Sequence, residues 1–286
     1  PGSALIRLGT LMAESRQLGL FVALTFGISW LLWLPSVLRS TGVADLPEVV
    51  GLMGLFAVLG PTVAAFALVG LQTGRAGMGR LLRRAFATNF GKRWWIPTLL
   101  LIPLVGMLTV AFVALVGEEG FEGWTVPSFG TVLITVVTIL LVGGGLEEFG
   151  WRGYALDRMQ DGRNALPASL LLGLIWGSWH LPLFFIDGTV QQAIPVWQFL
   201  LQQMLLAVLY TWLYNNTSGS LLVAIVFHTF GNASAALLPE FFATSLGRWT
   251  NFALLLVAVG VIGAVSGWKT LNGGRSVPRP SIQAPA

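Results

Sequence analysis

The chain has no cysteine. That excludes disulfides, iron–sulfur clusters, thiolate zinc sites and cysteine nucleophiles. Charge is scarce as well: Asp, Glu, Lys and Arg make up 10% of the 286 residues, against about 25% in an ordinary soluble domain. So little charge cannot coat a soluble surface of this size. Histidine occurs twice, at His180 and His228. The His-Glu-x-x-His zinc motif is missing, as are the Gly-x-Ser-x-Gly elbow and the Gly-x-Gly-Asp of aspartyl intramembrane proteases. No alternating strand pattern is present, and no cleavable signal peptide is evident.

What remains is hydrocarbon. The chain is 55% hydrophobic with a mean hydropathy of +0.78. A helix needs about 20 apolar residues to cross a bilayer, and eight segments qualify: roughly 18–38, 49–71, 94–116, 131–152, 166–186, 194–214, 220–238 and 250–268. Lipid leaves their backbone no partner but itself, so all should be helical. The fold class is an all-α polytopic membrane bundle. It divides into an N-terminal cytoplasmic segment (1–17, its opening Pro-Gly-Ser reading as a cloning remnant), one transmembrane domain (18–268) and a flexible Gly/Pro/Ser-rich tail (269–286).

The net charge of +4 and pI near 10.1 do not point to nucleic acid, because the basic residues cluster between apolar spans. The stretch 72–93 carries Arg75, Arg80, Arg83, Arg84, Lys92 and Arg93 and no acid, which marks a cytoplasmic loop. The next loop carries Glu118, Glu119 and Glu122 and no base, and belongs outside. Alternation then puts both termini in the cytoplasm, with only Arg39 and Arg248 of the sixteen basic residues outside. Trp94, Trp95, Trp124, Trp197, Trp249 and Trp268 fall near span ends, as an interfacial belt would. The setting is a multi-pass protein of a prokaryotic cell membrane.

Three spans carry polar groups that hydrocarbon disfavours. The fourth ends in Glu147, Glu148 and Arg152, the fifth carries His180, and the seventh carries His228 and Asn232. Ionisable residues inside a membrane normally face the bundle interior and are functional candidates. Glu148 and Arg152 are four apart and can pair on one helix face. Glu147 is turned from Glu148 by about 100° and needs a partner on another helix, for which His180 is the best candidate. His228 and Asn232 present an imidazole and an amide to one side, and Trp176 can wall the His180 pocket. Gly143, Gly144, Gly145 and Gly150 would let neighbouring helices approach closely. The bland alternatives are a snorkelling helix-end ion pair for Glu148–Arg152, packing histidines, and interhelical glue for Asn232, Gln202 and Gln203.

A carboxylate in a low-dielectric site can serve as general base or acid near neutrality. A neighbouring histidine can hold a water, and a second imidazole with an amide can face an oxyanion. The same set, two imidazoles and a carboxylate with an open position, also matches catalytic zinc geometry. The residues alone do not separate these two.

The motifs Glu-Glu-x-x-x-Arg (147–152), Trp-x-x-x-His (176–180) and His-x-x-x-Asn (228–232), in that order on successive apolar helices, resemble those of the CPBP (Abi) family. That family includes the Rce1-type, type II CAAX prenyl endopeptidases. The resemblance covers roughly 130–240, and Trp176 stands where the family has Phe. It implies an eight-helix, glutamate-dependent intramembrane endopeptidase with its site open to the cytosol and no required metal or other cofactor. By position, Glu147 resembles the water-activating glutamate and His180 its partner, His228 and Asn232 resemble the oxyanion pair, and Glu148, Arg152 and Trp176 are supporting residues. The partners implied are the bilayer and a membrane-associated protein or peptide substrate, prenylated or bare.

For Glu147 to reach His180 the fourth helix must run on to about Tyr154. Glu147 and His180 should then lie within hydrogen-bond or one-water reach. Two rivals stand beside the hydrolase. One is a proton-coupled transporter, to which Gly60-Pro61, Pro97 and Pro103 would contribute broken helices, although no second half mirrors the first. The other is a non-catalytic scaffold.

Overall fold

A computed structural model describes residues 2–116, 126–142, 144–161, 163–238 and 244–278. Glu118, Glu119, Glu122, Trp124 and Gly143, named above, lie outside the described residues. The helices are α1 (Gly2–Ser40), α2 (Gly51–Ala57), α3 (Gly60–Arg83), α4 (Trp95–Val116), α5 (Phe129–Val142), α6 (Ala165–Trp179), α7 (Val196–Asn216), α8 (Leu221–Leu237) and α9 (Ser245–Ser266). Six helical stretches are long and apolar enough to cross a membrane; a pair bent by 44°, Glu48–Ala57 with Gly60–Phe86, makes a seventh, and the shorter apolar Leu221–Leu237 completes the set. These match the eight segments expected, with informative differences at their ends.

The second span breaks before Pro61, which lies in the first turn of α3. Proline has no N–H to continue the preceding helix, so it begins a new one instead. The basic stretch read as a loop is largely helical: α3 runs to Arg83 across a kink at Gly74, whose φ of 62° and ψ of −162° suit only glycine. The fourth span is longer than expected, reaching Gln160. Where α5 ends at its run of glycines, which weaken a helix by roughly 1 kcal/mol each, the chain tightens into a 3-10 turn at Gly144–Glu147. It regains α geometry at Glu148–Gly150, widens into a π turn at Trp151–Leu156, and ends as α-helix at Asp157–Gln160. The fifth span is also divided: α6 stops at Trp179, and a 3-10 segment, Leu181–Phe185, follows.

Packing relies on close approach and polar pairs, because lipid supplies no hydrophobic drive between helices. A Cβ on Gly173 of α6 would stand 2.5 Å from the Met204 Cα of α7, and Ser169 bonds Thr211 across that seam at 2.7 Å. Gln202, expected as interhelical glue, donates to Asn251 of α9 at 3.2 Å and also lines the central cavity.

At one end of the bundle the helices are laced together. Arg84 pairs with Asp157 at 2.9 Å and donates to the Gly219 carbonyl at 3.2 Å, and Tyr214 bonds both Arg84 and Asp157. Gln160 and Asn215 exchange two hydrogen bonds. Of the tail expected to be flexible, residues 269–278 are described, and they lie against the end of α7. The Lys269 carbonyl accepts from Ala165 N–H at 2.8 Å, Asn215 and Asn216 donate to the carbonyls of Thr270 and Leu271 at 2.8 Å each, and Leu271 is fully buried. Side-chain amides at the end of α7 substitute for regular structure in fixing it. The opposite end is looser, joined by Asp187 N–H to Ser40 at 3.1 Å, Trp30 to the Trp179 carbonyl at 2.9 Å and an exposed Arg39–Glu48 pair at 3.1 Å.

Candidate active site

Both glutamates are buried, Glu147 at 3% and Glu148 at 0% exposure, and they have different surroundings. Glu148 Oε1 accepts from Arg152 Nη1 at 2.9 Å and from His228 Nδ1 at 2.7 Å. The expected helix-face pair is therefore a three-member cluster, and Arg152 alone does not account for Glu148. Arg152, wholly buried, is also clamped between rings: its guanidinium carbon lies 3.8 Å from the Tyr210 centroid and 4.6 Å from that of Trp176. Its Nε and Nη2 find no oxygen acceptor, and the two aromatic faces stand in their place. A snorkelling arginine would look different, so this residue is structural and internal.

Glu147 is held through one oxygen. Trp151 Nε1 and Trp176 Nε1 both donate to its Oε2, at 3.2 and 3.1 Å. The indole of Trp176 is thus more than a wall; it makes a hydrogen bond that phenylalanine could not. Oε1 faces Gly144, where an added Cβ would stand 2.6 Å from Glu147 Oε1 and 2.6 Å from His228 Nε2. The two atoms are no more than twice that distance apart, and no direct hydrogen bond joins them. Gly145 and Gly150 meet the close approach expected of them, against Ile225 and Thr229 of α8 and against Pro61 of α3.

His180 caps the C-terminal end of α6, with Nδ1 2.8 Å from the Trp176 carbonyl. A carbonyl can only accept, so Nδ1 carries the proton and Nε2 keeps a free lone pair. The ring is boxed by Trp179, Trp176 and Phe199, at centroid distances of 4.7, 5.8 and 5.4 Å. His180 does not hydrogen-bond Glu147; Trp176 links them, giving its N–H to one and its carbonyl to the other. By the same reasoning His228 carries its proton on Nδ1, because Glu148 Oε1 already accepts from Arg152. Asn232, one turn further along α8, is exposed.

All four candidates, Glu147, His180, His228 and Asn232, line one cavity of about 470 Å³, along with Gly144, Trp176 and Tyr210. Sequence reasoning missed Tyr210 and Trp151. Trp151 had a signal, lying four residues from Glu147; Tyr210, in a span without Asp, Glu, His, Lys or Arg, had none. Among the described residues no three His, Asp or Glu side chains are grouped to hold a metal ion.

A carboxylate, two imidazoles and an amide line one cavity inside a polytopic bundle of apolar helices. Residues 128–234, which contain all three motifs, match the family described as type II CAAX prenyl endopeptidase Rce1-like. The chain is also 28% identical over 259 residues to the CAAX prenyl protease 2 of Methanococcus maripaludis, covering 85% of this chain and 92% of that protein. The chain is thus similar to the Rce1-like type II CAAX prenyl endopeptidases, a family of peptide-bond hydrolases.

Proposed function

We propose that this protein cleaves a peptide bond of a membrane-associated substrate with a water activated by Glu147. The observation that carries the reading is the gap over Gly144, bordered by Glu147 Oε1 and His228 Nε2 and open to the cavity. Glu147 has one oxygen fixed by two indoles and the other free, as a positioned general base requires. His180 offers its Nε2 lone pair to the same water. Glu147 takes a proton from the water as the oxygen attacks the scissile carbonyl carbon. His228, its Nδ1–H on Glu148 and a second proton on Nε2, donates from Nε2 to the carbonyl oxygen as negative charge builds there, and Asn232 adds an amide N–H. Collapse breaks the C–N bond, and Glu147 returns its proton to the leaving amine. No step is assigned to a metal or other cofactor. The apolar and aromatic cavity lining suits a substrate that arrives from the bilayer, and the relative's name points to CAAX peptides as the first class to try.

The test is a cleavage panel of prenylated and bare peptides, with and without chelator, on wild type, Glu147→Ala and His180→Ala. Loss of a positioned general base costs about 10²–10⁴-fold in rate. Full activity in either folded variant refutes the assignment, and proteoliposome flux that depends on Glu147 would favour a transporter.

A further inference from the structure

The laced end of the bundle is also its basic end. Arg83 closes α3, Arg84 joins Asp157, Lys92 and Arg93 precede α4, and Lys269 and Arg275 follow α9. Three of these cations gather in one place. Lys92, Arg93 and Arg275 line an open hollow of about 560 Å³ with Asn89, Asn216 and Ser218. These residues come from three segments far apart in sequence: the approach to α4, the end of α7 and the chain after α9. Arg275 is fixed there by neutral partners. Its Nη2 donates to Asn216 Oδ1 at 2.7 Å and its Nε to the Asn272 carbonyl at 2.9 Å. Among the described residues no Asp or Glu pairs with any of the three cations, and no carboxylate lines the hollow. Like charges gathered without a counter-charge repel, and an anion seated between them removes that repulsion.

The hollow lies at the edge of the hydrocarbon. One apolar stretch begins at Lys92, a second ends at Asn216, and a third ends at Ser266, shortly before Arg275. Trp94 forms part of the wall, with the Arg93 guanidinium carbon 5.6 Å from its ring centroid, as suits a tryptophan at the level of the headgroups. From this point an apolar stripe of α4 faces outward. Ile96, Leu100 and Leu104, spaced one turn apart, are 64%, 57% and 54% exposed. A cation cluster therefore opens beside a surface that suits acyl chains. A free anion would use the first and not the second, whereas a phospholipid uses both. Basic pockets between membrane helices bind anionic headgroups in this way. No acid is present to meet the ammonium of a zwitterionic headgroup, and Asn89 and Ser218 add neutral polar groups that suit hydroxyls.

We propose that this hollow binds the headgroup of an anionic phospholipid, with Lys92, Arg93 and Arg275 around the phosphate and the Ile96–Leu100–Leu104 stripe along an acyl chain. The site is separate from the cavity of Glu147, with which it shares no lining residue. It stands independently of the endopeptidase reading.

The test titrates the full chain in detergent with phosphatidylglycerol, phosphatidylcholine or inorganic phosphate, read by native mass spectrometry and by thermal melting. Expected is a retained phosphatidylglycerol that raises the melting temperature, weaker retention of phosphatidylcholine, and no response to inorganic phosphate. Each cation near a membrane surface is worth about fivefold in lipid affinity. Lys92→Gln with Arg93→Gln should therefore weaken phosphatidylglycerol binding roughly 25-fold, and Arg275→Gln roughly fivefold. Arg75→Gln with Arg83→Gln removes the same charge from exposed positions of α3 outside the hollow, and should leave binding near the wild-type value. Equal loss in the two double variants would mean diffuse attraction and overturn the proposal. Equal retention of the two lipids overturns it as well. Stabilisation by inorganic phosphate that matches the lipid's overturns the lipid assignment. Should the Lys92/Arg93 double variant fail to fold, Arg275→Gln decides alone, and an unchanged affinity there overturns the site.

Discussion

The two ends of this bundle treat polar groups in opposite ways. At the basic end buried polar side chains pair with one another: Arg84 with Asp157 and Tyr214, Gln160 with Asn215, Arg158 with Gln72 and Gln17. Toward the other end Glu147 Oε1, His228 Nε2 and Asn232 face a cavity with no protein partner. Buried polar groups are costly when unpaired. The closed network at one end holds the helices in register, and the open groups at the other are left for a ligand to satisfy. Stability and chemistry are thereby assigned to different halves of the same helices.

That division can be broken from either side. The largest effect expected is on stability, from Asp157→Ala: it strands the buried Arg84 guanidinium, and loss of one partner of a buried pair costs about 3–5 kcal/mol. Denaturant unfolding in detergent should show it, with activity per folded molecule unchanged. Gly144→Ala is the converse. Its methyl group would crowd Glu147 Oε1 and His228 Nε2, and displacement of reacting groups by about 1 Å costs on the order of 10²-fold in rate. Turnover should fall by that factor while the unfolding midpoint stays near wild type; a fully active Gly144→Ala would remove the gap from the mechanism.

Trp176→Phe sharpens the comparison further, since it keeps an aromatic ring beside His180 and Arg152 and removes only the N–H on Glu147 Oε2. The loss should appear as roughly a tenfold drop in kcat with KM little changed, the pattern of an interaction made in the transition state. A rise in KM alone would instead make Trp176 a substrate-contact residue. The smallest effect belongs to Arg39→Ala, since the Arg39–Glu48 pair is solvent-exposed on both sides and such pairs contribute about 0–1 kcal/mol. A thermal melt should barely register it.

Much of the site is readable from spacing. Glu148–Arg152, Trp176–His180 and His228–Asn232 each recur at one helical turn, and the structure places each pair on one face. The split between the two glutamates was also readable, because adjacent helical residues point about 100° apart. What spacing could not give was the partner across the bundle. His180 was the natural choice for Glu147; its Nδ1 is engaged by the Trp176 carbonyl, and His228 Nε2 also comes close to Glu147 Oε1 across Gly144. Tyr210 was invisible because its role, a face against Arg152, depends on how α7 is rotated.

By itself the sequence determined that the protein is a helical membrane bundle, which segments cross, which residues are too polar to be there by chance, and where the positive charge lies. Hydropathy, helical period and charge bias are local quantities, and local quantities survive in a linear string. The tertiary structure alone decided that Glu148 gathers Arg152 and His228 and that two indoles fix one oxygen of Glu147. Each depends on which helix faces which. In a bilayer that is set by close contacts such as Gly173 on Met204 and Gly150 on Pro61, made between segments distant in the chain.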